Sequence, residues 1–136
     1  MNPVIQEEET GCAIACSAAI AGISYSEAKI AANKIGIFAT DSSLWSESKH
    51  ICKLLNELNI ATDCIETVFK DWQALPGCAL LATKWHKENN IPYWHWAIYV
   101  RDGQAEYVLD SNASLDDNLI INLDTIQPKW FIKVNL

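Results

Sequence analysis

Residues that loosen a backbone are scarce in this chain, with five glycines and four prolines among 136 positions. Together with a 50% hydrophobic content, that scarcity excludes disorder, collagen-like repeats and low-complexity tracts. Positive charge is also short. Ten Lys and Arg stand against seventeen Asp and Glu, a formal net charge of −7, which argues against a nucleic-acid partner. No apolar run is long enough for a membrane: the most apolar stretch, 13–23, is about half the ~20 residues a spanning helix needs. The N-terminus, Met1-Asn2-Pro3-Val4-Ile5-Gln6-Glu7-Glu8-Glu9, lacks the basic region and apolar core of a signal peptide. The expectation is one acidic, cytoplasmic domain over residues 1–136, with secretion by a signal-less route left open. Histidines are few (50, 86 and 95) and no C-x-x-C pair exists, so neither a metal nor another cofactor is expected. Five cysteines, at 12, 16, 52, 64 and 78, form an odd set in a chain too large to need stapling. They read as core filler plus one reactive thiol, without a disulfide framework.

What is present divides by type along the chain. Gly11 to Ala21 is a run of small apolar residues suited to a closely packed helix, ended by Gly22. Ser24-Tyr25-Ser26-Glu27 is a capping-box pattern ahead of a second helix. A third is expected from about Asp41-Ser42-Ser43, with Leu44, Ile51, Leu54, Leu55 and Leu58 at helical spacing. Strands are expected at 61–67, 78–82, 94–101, 105–110 and 130–134, with 84–90 as a polar loop. Helices first and strands afterwards predict an α+β fold with a mainly antiparallel sheet.

Two features carry chemistry. Cys12 stands at the start of the first helix, where unpaired N–H groups and the helix dipole favour a thiolate. A small core cysteine is the more common use of such a residue; Cys16, one turn on, reads that way. The second feature is a hairpin. With Asp102-Gly103 as its two-residue loop, every cross-strand pair sums to 205 and His95 falls opposite Asp110. Trp94, Trp96, Ile98 and Val100 then share the other face with Tyr107 and Leu109. A carboxylate beside an imidazole fixes its tautomer and stabilises its cation. A plain sheet-stabilising pair is the competing account, and a bulge would break the register.

These residues resemble the bacteriocin-processing (double-glycine leader) cysteine peptidases of the papain-like superfamily. The likeness rests on Gln6, then Cys12-Ala13-Ile14-Ala15-Cys16 opening a helix, then His95-Trp96-Ala97-Ile98-Tyr99-Val100 and Leu109-Asp110. It covers most of the chain. Where that family typically has Asp before the nucleophile and Gly after it, this chain has Gly11 and Ala13; Ser111 replaces the Pro that usually follows the Asp. The resemblance implies a papain-like fold with Cys12 as nucleophile, His95 as general base and acid, and Asp110 as orienter. By resemblance alone, Gln6 joins the Cys12 backbone N–H as oxyanion donor.

The leading expectation is a thiol hydrolase acting on a peptide or isopeptide amide of a peptide or protein substrate, its oligomeric state open. Glutamine deamidation or acyl transfer uses the same thioester chemistry. A non-catalytic peptide-binding relative ranks last, since no triad residue is missing. Trp45, Trp85, Trp94 and Trp96 are candidates for a substrate groove, though core packing is the commoner use. His86 reads as solvated, His50 as a rim residue, and Glu7-Glu8-Glu9 as a solvated acidic run.

Overall fold

A computed structural model describes residues 1–136. Helix α1 spans Cys12–Ala21, and every residue from Cys12 to Ile20 is buried. A helix that is apolar all round belongs inside, and α1 lies against α2, α3 and the sheet. Gly22 ends it in the left-handed conformation (φ 72°), its N–H donating to the carbonyls of Ala18 and Ala19. Helix α2, Tyr25–Lys34, opens on the expected reciprocal box between Ser24 and Glu27. Helix α3 covers Lys49–Glu57.

Seven strands follow: β1 Ala61–Thr62, β2 Thr67–Val68, β3 Cys78–Glu88, β4 Ile91–Asp102, β5 Ala105–Leu109, β6 Leu119–Ile120 and β7 Trp130–Asn135. They form one sheet in the order β1-β7-β3-β4-β5-β6, with β2 also on β7, and every pairing is antiparallel. The fold is α+β. The larger core lies between the helices and one sheet face, including Trp94, Trp96 and Ile98; the opposite face buries Leu75, Ala79, Leu81, Ala97, Tyr99, Val108 and Leu123. Trp94, Trp96 and Trp130 meet edge to face, with ring centroids 4.8–5.7 Å apart. No helix is long and apolar enough to cross a membrane.

Four local expectations need correction. The third helix is interrupted: Asp41 accepts the Ser43 N–H, and Ser42–Trp45 form a separate 3-10 turn before α3. Short polar side chains that bond the backbone compete with helix continuation. The 61–67 strand is split into β1 and β2, with Cys64 between them at φ 50°. Segment 84–90 is no loop but the exposed end of the β3–β4 hairpin, turned by Asn89 and Asn90 at φ 52° and 66°. Its polar composition reflects exposure rather than irregular backbone. Finally, Cys52 and Cys64 form a disulfide, their Cα atoms 5.9 Å apart, leaving Cys12, Cys16 and Cys78 free. Cys64 arrives beside α3 only through the break between β1 and β2, which spacing along the chain does not reveal.

The β4–β5 register also differs. Asp102 pairs with Ala105, Val100 with Tyr107 and Ile98 with Leu109. Gly103, at φ 62°, takes the first of the two turn positions, which suits a glycine-first hairpin turn. The loop therefore moves one residue along, and paired numbers sum to 207 instead of 205. A change of two keeps every side chain on its face.

Candidate active site

Asp110 follows directly after β5, and in the observed register it lies level with Ala97 rather than His95. The ring reaches it diagonally: His95 Nε2 and Asp110 Oδ1 are 2.7 Å apart. The direct cross-strand pairing expected from the turn is thus incorrect, while the contact itself forms.

Asp110 is held from all sides. Its Oδ1 also accepts the Asn112 N–H at 3.0 Å, and its backbone N–H donates to the Asn118 carbonyl at 2.9 Å. Asn118 Nδ2 donates in turn to the Asp110 and Asn112 carbonyls at 2.7 and 2.8 Å. Burial works against this carboxylate, but the His95 hydrogen bond and charge outweigh it and lower its pKa. Burial likewise opposes the imidazolium. The hydrogen bond the ring donates to Asp110, then its interaction with Cys12, and the charges of both overcome it and raise His95 from 6.5 to about 9.

Cys12 is the first residue of α1 and is only 5% exposed. With Nε2 of His95 engaged, Nδ1 is the ring nitrogen left for the thiol. The Cys12 thiol is near enough to act with Asp110 in raising the ring; catalytic hydrogen bonds commonly tighten only with substrate present. Gly11 gives α1 no side-chain cap, so first-turn N–H groups remain for another acceptor. The other free thiols sit differently. Burial, with the neighbouring Cys12, Asp110 and Cys78, holds Cys16 far above the usual thiol range, and burial pushes Cys78 up to about 12.

Gln6 is next to this group but occupied. Its Nε2 donates to the carbonyls of Glu8 and Glu9 at 3.0 and 2.7 Å, and its Oε1 accepts the Ser111 hydroxyl at 2.7 Å. The Gln6 backbone N–H donates to the Ser111 carbonyl. Gln6 thus clamps the segment before Cys12 to the residue after Asp110. An oxyanion would have to displace one of the two carbonyls.

Residues Gln6–Glu9, His95 and Asn112–Ser114 line an open cavity of about 470 Å³. Of the four tryptophans considered for a groove, Trp94 and Trp96 are core residues, Trp45 is partly buried, and Trp85 lines a second cavity that includes Asp110. His50 bonds the Ser43 hydroxyl, and His86 is exposed beside Glu88; neither meets the Cys12 group. No three His, Cys, Asp or Glu side chains come together as a metal-binding cluster.

Sequence reasoning missed Ser111, Asn112 and Asn118. Only Asn112, two residues after an Asp, had a local signal; the others are brought in by closure of the 110–118 loop. Comparison of the chain with protein-family models, curated proteins and solved structures finds no match.

Proposed function

We propose that this protein is a papain-like thiol hydrolase that cleaves a peptide or isopeptide amide. The observation that carries the reading is a thiol at an uncapped helix start, beside an imidazole whose far nitrogen is held by a buried carboxylate. In this reading Cys12 Sγ attacks the carbonyl carbon of the amide. The tetrahedral oxyanion takes the Cys12 backbone N–H as a donor. His95, carrying the proton taken from the thiol, gives it to the departing amine as the C–N bond breaks. Water deprotonated by His95 then attacks the thioester and releases the acid, regenerating the thiol. Asp110, by holding Nε2, leaves Nδ1 as the nitrogen that exchanges the proton with sulfur. The resemblance to leader peptidases adds order (Gln, Cys, His, Asp) but no substrate.

A cytoplasmic setting is not part of the proposal, because disulfides such as Cys52–Cys64 persist mainly in oxidising compartments.

Limiting iodoacetamide, followed by mass mapping of the native protein, tests the nucleophile. Cys12 is expected to label well ahead of Cys16 and Cys78, which burial keeps as thiols. Equal labelling of the three would remove the basis of the mechanism. Product masses from a peptide library then identify the reaction: new termini mean hydrolysis, whereas a one-dalton gain or an amine adduct means deamidation or transfer.

A further inference from the structure

Asp110 lines a larger cavity, of about 670 Å³, that shares no lining residue with the one at Glu7–Glu9. Its wall is apolar at Ala97, Val108, Ile120 and Ile126; its charged lining is Lys84 and Lys129, on the segments beside Trp85, and Asp110, on which the Lys84 charge acts. How Lys84 and Trp85 come to line it is visible in the pairing. Thr83 pairs with His95 and His86 with Tyr93, so Lys84 and Trp85 together oppose the single residue Trp94. This β-bulge holds Lys84 at φ 52°, an unfavourable backbone for a lysine. Bulges re-aim side chains and concentrate beside functional sites.

In a chain of net charge −7 with ten basic residues, Lys87 and Lys129 lie over one indole, and Lys84 lines the same cavity as that indole. Lys129 Nζ stands 4.1 Å and Lys87 Nζ 5.8 Å from the Trp85 ring centre. None of the three belongs to an ion pair; the paired lysines are Lys29 with Glu8 and Lys49 with Glu47. The cavity that includes His95 is lined by Glu7, Glu8 and Glu9. The two cavities therefore differ in their charged lining, with lysines beside Asp110 at one and three glutamates beside His95 at the other.

We propose that the cavity bounded by Lys84, Trp85 and Lys129 binds an acidic, apolar peptide segment of the substrate. A carboxylate lies between the two lysines, and an adjoining apolar side chain packs against Trp85 and the Val108–Ile126 wall. The inference deepens the hydrolase reading by naming the substrate class that the site selects.

Binding is tested on the Cys12→Ser protein, so that turnover plays no part. Three blocked peptides serve as probes: N-acetyl-Leu-Glu-Leu-Ala-amide and the versions with Gln or Lys replacing Glu. By NMR titration, the Glu peptide is expected to bind about tenfold tighter than the Gln peptide, as a charge-assisted hydrogen bond implies, and to shift the Trp85 indole resonance. The Lys peptide should bind weakest. Lys84→Asn with Lys129→Gln should erase the Glu preference, Asn being chosen because it tolerates left-handed backbone. Raising salt on the protein with both lysines intact should weaken the Glu peptide selectively, which gives an answer even if the double variant fails to fold. Equal binding of the Glu and Gln peptides, a preference that survives both substitutions, or shifts away from Trp85 would each overturn the inference. Such a failure leaves the hydrolase reading standing, and failure of Cys12 labelling leaves this binding result standing.

Discussion

At Asp110, one carboxylate oxygen serves two donors, the His95 ring and the Asn112 N–H. Asp110→Asn keeps the shape but removes the charge that helps lift His95 to about 9. On the proposed mechanism, the rate falls on the alkaline side as the imidazolium deprotonates, near pH 9. In Asp110→Asn this alkaline limb should move to lower pH, and turnover should drop because the amide favours the wrong tautomer; a pH–rate profile checks both. Stability follows the same groups. The raised His95 contributes in full below its ordinary 6.5 and loses that contribution as pH rises through about 9. The lowered Asp110 contributes above its ordinary 3.8 and loses it as pH falls through its depressed value. Denaturant midpoints between pH 6 and 10 should therefore decline, and Asp110→Asn should lessen the decline. Gly11 is the second informative residue. A Cβ there would collide with the Tyr25 hydroxyl and crowd the Glu8 carbonyl, while Tyr25 itself donates to Glu8 at 2.9 Å. Gly11→Ala should cost about 1–3 kcal/mol, and Tyr25→Phe in the same chain should restore part of it in thermal melts.

Between elements, the segment before α1 is tied to the end of β5 through Gln6 and Ser111. Two roles for Gln6 are separable. If it acts only as a brace, Ser111→Ala, which removes the hydroxyl bonded to Oε1, should reduce turnover about as much as Gln6→Ala. If the amide also turns toward an oxyanion, Gln6→Ala alone should cost ~10²–10³ in rate, while Ser111→Ala costs far less. Steady-state kinetics of the two variants decide. The hairpin shows how much of such geometry the sequence reveals. The turn signal at Asp102-Gly103 was correct in kind, yet Gly103 came first in the turn and the register moved by two. Because side chains alternate with a period of two, His95 and Asp110 stayed on one face and the contact survived as a diagonal. A shift of one would have lost it. By contrast, the β3 bulge at Lys84 and Trp85 had no recognisable sequence signal, since no glycine marks its left-handed position.

Across the whole molecule, the Cys52–Cys64 bridge joins α3 to the segment between β1 and β2, closing a loop of 12 residues. Chain-entropy reasoning gives about 3 kcal/mol for a loop of that length. The Cys52→Ala, Cys64→Ala double variant should lose about that much unfolding free energy in denaturant titrations, yet keep Cys12 labelling, because neither cysteine touches the active-site group. Free-thiol titration should find three thiols in oxidised protein. The sequence by itself determined what depends on neighbours along the chain. The small apolar run that makes α1, its stop at Gly22, the Ser24 box, the α+β order and the shared face of His95 and Asp110 all follow from composition, caps and periodicity. Tertiary structure decided whatever requires distant segments to meet: the disulfide, the clamp of Gln6 on Ser111, the Asn118 bonds that fix Asp110, and the cationic rim around Trp85. Local rules reach three or four residues, or one hairpin turn. Contacts across tens of residues are chosen by burial and by satisfying every polar group at once, and no single stretch of sequence records that choice.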